Sequence, residues 1–70
     1  MKTIKATDVK SDDLLDLEGD QYGGELDFVD TEYARVDTAF QETDNCIVIH
    51  TELGSFGCPP DHELKLWERQ

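Results

Sequence analysis

Between Ser11 and Leu64 the chain has one lysine or arginine, Arg35. The other five cations, Lys2, Lys5, Lys10, Lys65 and Arg69, stand near the two ends, and 17 acidic residues bring the net charge to −11. Such a surface repels phosphates, so direct binding to nucleic acid or to an anionic membrane is not expected. No apolar run approaches the roughly 18 residues that a membrane-spanning helix needs. The N-terminal MKTIKATDVK also lacks the apolar stretch of a secretion signal. Cysteine is scarce: Cys46 and Cys58 are the whole complement. In a chain read as cytoplasmic they are expected to be reduced and to act as small hydrophobes.

What is present is a set of short, alternating apolar runs. Seventy residues make one small domain, 1–70, near the lower limit for folding without disulfides or metals. An apolar fraction of 37% beside 33% charged residues leans toward disorder. The clustering of apolar residues in CIVIHT and LKLW leans back toward a fold. Strands are expected over Lys2–Ala6, over Asp13–Glu18 with Leu15 and Leu17 on one face, and over Glu25–Val29. A further strand over Glu32–Phe40 would place Ala34, Val36 and Phe40 on one face and Tyr33, Arg35 and Asp37 on the other; a helix over Thr31–Gln41 is its rival. CIVIHT is the strongest strand signal, and HELKLW closes the chain with Leu64 and Leu66 together. Thr7–Lys10, QETDN and the Leu53–Gly54 pair read as turns, and Cys58-Pro59-Pro60 ends any ladder. GDQYGG, residues 19–24, reads as a mobile loop because three glycines suit neither helix nor central strand. The fold class is mostly β: a small antiparallel barrel or curled sheet.

The order of these elements resembles the small SH3-like β-barrel proteins common in actinobacterial phage genomes. Lys5, Ala6, Asp8, Val9, Lys10, Asp13 and Leu15 match their opening pattern, and Pro59, Pro60, Asp61, Leu64 and Leu66 match their ending. Asp12 stands where that pattern has a glycine. The resemblance covers most of the chain and implies an SH3-like barrel and a phage context, with no activity attached.

Three chemistries can be composed from the residues. Asp16, Glu18 and Asp20 have the 1-3-5 spacing of a calcium loop, but Gln21 occupies the position where the sharp turn needs glycine. Cys46/His50 and Cys58/His62 offer four zinc-type ligands. In a strand, residues four apart stand roughly 13 Å apart, too far for one tetrahedral metal to take both. Pairing of the two cysteines, or ligation across strands, stays open on spacing alone. Cys58 with His62 could form a nucleophilic dyad, though 70 residues leave little interior for a substrate pocket. No cofactor, metal or enzymatic activity is expected.

The acids themselves remain. Residues 11–30 hold eight carboxylates and no cation. On strands, Asp16 with Glu18, Glu25 with Asp27, and Asp30 with Glu32 would form rows at about 6.6–6.8 Å spacing. That is roughly twice the 3.4 Å charge spacing along a DNA strand. The expectation is a non-enzymatic acidic protein that binds and modulates a basic, nucleic-acid-binding protein, with DNA mimicry as its form. Asp16, Glu18, Asp20, Glu25, Asp27, Asp30 and Glu32 would supply charge, and Tyr22 and Tyr33 aromatic anchors, with Phe56 next. The alternative is an interaction module pairing through a sheet edge, its acids serving solubility.

Overall fold

The computed structural model describes residues 2–24 and 33–67. Alternation is strictest in CIVIHT, and β4 (Cys46–Thr51) there buries Ile47, Ile49 and Thr51 while Cys46, Val48 and His50 face the other way, half-buried. The remaining strands are β1 (Lys2–Lys5), β2 (Leu14–Asp16), β3 (Ala34–Thr43), β5 (Gly54–Cys58) and β6 (Glu63–Trp67). They form one sheet in the order β1-β6-β2-β3-β4-β5, with every ladder antiparallel. Among the described residues β1 and β5 are its edges, and the strands form an open, curled antiparallel sheet. The curl is evident in the core: Ala6 and Leu64 from one end join Ile47 and Phe56 from the other in a single apolar cluster.

Leu15, Ile49, Leu64 and Val36 are the largest fully buried side chains. Each contributes on the order of 1.5–3 kcal/mol by leaving water. β6 alternates as its sequence does, with Leu64 and Leu66 inward. β5 stops at Cys58, before the two prolines. The β4–β5 turn falls on Glu52–Leu53, one residue earlier than the sequence suggests, with Thr51 opposite Gly54. Buried Thr51 closes it: its Oγ1 donates to the Gly54 carbonyl at 2.8 Å and accepts the Leu53 N–H at 3.1 Å.

Four expectations need correction. QETDN turns only at Asp44-Asn45, because β3 runs through Thr43. Thr7–Lys10 is not a plain turn: a one-turn 3-10 helix, Ala6–Asp8, drops Ala6 into the core. The strand expected to run to Glu18 ends at Asp16, and the Asp16 carboxylate accepts the Glu18 N–H at 3.1 Å. Phe40 is not inward. Val36 pairs with Thr51 but Thr38 pairs with His50, so β3 carries one extra residue there. This bulge reverses the alternation: Ala39 now opposes fully buried Ile49, and Phe40 faces solvent at 46% exposure. The bulge is held from the side. Ser11 Oγ donates to the Asp37 carbonyl (2.9 Å), the Asp12 N–H to the Val36 carbonyl and the Val36 N–H to the Asp13 carbonyl (both 2.8 Å).

The expected strand Glu25–Val29 lies outside the described residues.

Candidate interaction surface

The cations are segregated on this sheet, while carboxylates occur on both halves of it. Lys2, Lys5 and Lys10 line one groove of about 660 Å³ along edge strand β1, together with Thr3, Ile4, Asp8 and Glu63. Lys65 lies next to them on β6, opposite Thr3 on one side and Asp16 on the other. The β3–β5 half carries Asp37, Glu42, Asp44 and Glu52 against Arg35 alone. Arg35 is shared among three carboxylates: Asp12 at 3.3 Å, Asp37 at 3.7 Å and Glu52 at 3.8 Å. All four side chains are about half exposed, so each pair is worth no more than about 1 kcal/mol. One guanidinium cannot neutralise three carboxylates, and the cluster stays negative.

Of the proposed contact residues, Glu18 is exposed in the turn after β2, and Asp16 is half-buried at the end of β2. They do not form a row on one strand. Asp20 turns inward. Its side chain is 10% exposed, its Oδ2 accepts the N–H groups of Tyr22 (2.9 Å) and Gly23 (2.8 Å), and His62 Nε2 donates to its Oδ1 at 2.8 Å. Burial acts to raise the Asp20 pKa, but the Gly23 and Tyr22 N–H groups and then His62 outweigh it and hold the carboxyl below its ordinary value.

Tyr22 is half-buried against the core and meets the His62 ring edge-on at 4.7 Å. Gly23 is covered so closely that a Cβ there would lie 3.0 Å from Leu17 Cδ2 and 3.2 Å from the Phe56 ring. The 19–24 loop is thus docked on the core. Tyr33 stacks on Trp67 with ring centroids 4.7 Å apart. Phe56, at 8% exposure, belongs to the core and is not an anchor. Glu25, Asp27, Asp30 and Glu32 lie outside the described residues.

The metal and thiol chemistries meet definite geometry. Cys46 and His50 lie on the outer side of β4, Cys58 is buried on the inner side opposite Ile47, and His62 is engaged by Asp20. Both cysteines are free. Among the described residues, no three His, Cys, Asp or Glu side chains gather as a metal site. Burial, then the nearby Asp20 and Cys46, push the Cys58 thiol up to about 11, which disfavours the thiolate a nucleophile needs. Among the described residues no helix is long and apolar enough to cross a membrane.

Sequence reasoning missed the outward face of the β3–β4–β5 half. Phe40 stacks on His50 with centroids 5.5 Å apart, His50 is hydrogen-bonded to Ser55, and Val48 lies opposite Phe40. The available signal was Asp37-Thr38, two consecutive polar residues interrupting an alternating strand. No protein-family model, curated protein or solved structure matches the chain.

Proposed function

We propose that this protein is a non-enzymatic acidic binding protein that docks on the basic surface of a nucleic-acid-binding protein and modulates it. The supporting observation is the excess of carboxylates, together with the confinement of the lysines to one half of the sheet. The lysines are confined to β1, the segment after it and β6, while the β3–β5 half has four carboxylates and a single, shared arginine. A field of one sign speeds and orients encounter with a basic partner. It also opposes folding by self-repulsion, which a small core tolerates poorly. Occupying a surface built for phosphates would exclude nucleic acid from it, and this is the form of modulation proposed. The cytoplasm and a phage setting belong to the same reading.

Capture on immobilised protein tests it. Neutralising Asp37, Glu42, Asp44 and Glu52 to their amides should release the proteins that wild type retains from a cell lysate. Those proteins should be basic and should elute with salt. Equal retention by the neutralised variant, or elution insensitive to salt, counts against the reading.

A second reading is favoured by one feature. Among the described residues β5 pairs with β4 on one side only, and its sequence GSFGC has neither the lysines nor the prolines that blunt an edge. β1 carries Lys2 and Lys5. Strand addition to β5 would survive charge neutralisation and fail with a proline at a β5 N–H that points away from β4.

A further inference from the structure

The bulge at Asp37-Thr38 turns a phenylalanine out of the core of a protein that has little core to spare. Without it, even-numbered positions of β3 would stay inward after Ala34 and Val36, and Phe40 would be buried. With it, Phe40 stands on the outer face, 46% exposed, opposite Val48 and stacked on His50. The His50–Ser55 hydrogen bond holds the histidine ring in that stack. Cys46 and Gly57 continue the face, with the Cys46 sulfur 3.0 Å from where a Gly57 Cβ would sit. The result is a platform of Phe40, Val48, His50 and Cys46 with the phenyl ring about half exposed. Acids neighbour it in sequence: Asp37 at the bulge, Glu42 at a second register shift between Gln41 and Thr43, and Asp44 in the following turn, all exposed.

We infer that Phe40 is the anchor of the acidic surface and receives an arginine side chain of the basic partner, the guanidinium lying on the ring and pairing with Glu42 or Asp44. This rests on the acidic-surface reading above. Arginine is the occupant because the flanking charge calls for a cation and the exposed ring calls for a flat one. The guanidinium is planar, weakly hydrated and stacks on aromatic faces, whereas the lysine ammonium is a hydrated point charge. A negative aromatic platform on a protein of net charge −11 also disfavours an acidic or purely apolar partner.

The test uses hexa-arginine and hexa-lysine peptides titrated into isotopically labelled protein at low salt, followed by amide NMR. Hexa-arginine should perturb Phe40, Val48, His50, Glu42 and Asp44 and bind more tightly than hexa-lysine. Phe40→Ala and Phe40→Leu should each weaken hexa-arginine by about two- to fivefold while leaving hexa-lysine unchanged. Thermal melts keep the comparison sound, and Phe40→Leu retains apolar bulk should Phe40→Ala unfold. Equal affinity of wild type and both variants for hexa-arginine would overturn the anchor and leave the acidic surface standing. No binding of either peptide would overturn both.

Discussion

His62 Nε2 lies 2.8 Å from Asp20 Oδ1, joining positions 42 residues apart in sequence and fastening the glycine loop to the start of β6. The same carboxylate accepts two backbone N–H groups of the loop, so one side chain organises the turn and ties it down. Asp20→Ala should lower stability by about 1–3 kcal/mol, because it leaves buried donors without an acceptor. Asp20→Asn keeps an oxygen and should lose less. Chemical denaturation of the three proteins measures this order, and equal stability of Asp20→Ala and wild type would show that the loop is held otherwise.

The pH dependence follows in sign. The folded Asp20 carboxyl titrates below its ordinary 3.8, so the unfolded chain takes up the proton first as pH falls. Its contribution is complete above about pH 5 and is lost through 3.8 and below. The stability gap between wild type and Asp20→Asn should therefore narrow from pH 6 to pH 3. A gap that widens toward acid contradicts the lowered pKa.

Cys58 acts at the other end of the scale. Its folded thiol is pushed up to about 11 from 9.0, so the unfolded state ionises first as pH rises. Stability is full below 9.0 and declines between 9.0 and about 11. Thiol labelling at pH 8 should modify Cys46 well before Cys58 in the folded protein, and both at similar rates in denaturant. Cys58 labelling first would contradict its burial.

Asp12 has φ of +72°, in the left-handed region that side chains with a Cβ enter at a penalty. Asp12→Gly and Asp12→Ala both delete the exposed ion pair to Arg35, so that loss cancels between them. Asp12→Gly should be the more stable of the two by about 1–2 kcal/mol. The reverse order in thermal melts would mean that the backbone there is not left-handed.

Phe40 and Ile49 are both large apolar residues at the heart of the β3–β4 hairpin, and they should respond unequally. Ile49→Ala removes a fully buried side chain and should cost about 2–5 kcal/mol, enough to unfold much of so small a domain. Phe40→Ser should lower the melting temperature far less than Ile49→Ala does. A large loss at Phe40 would place it in the core and remove the bulge.

The strands were legible where alternation was unbroken. Ile47 and Ile49 in β4 and Leu64 and Leu66 in β6 bury as their period-two spacing requires, and Leu17 is buried with Leu15 although β2 ends before it. Phe40 was misread because periodicity assumes a continuous register, and the slip at Asp37 is fixed by a segment 25 residues earlier, through Asp12 and Val36. Asp16 and Glu18 looked like a charged row because the alternation of DLLDLE continues past the point where the Asp16 carboxylate turns the chain. Asp20 looked like surface charge because nothing local announces His62. Charge could be read as a total; which carboxylates face outward was decided by contacts far along the chain.

The central claim is that the acidic surface occupies a basic site built for nucleic acid. Its most direct test is the affinity for a captured basic partner, measured from about 50 to 200 mM salt with and without competing duplex DNA. Affinity should fall by at least about tenfold across that range, and DNA should displace the protein competitively. Affinity that ignores both salt and DNA would contradict it.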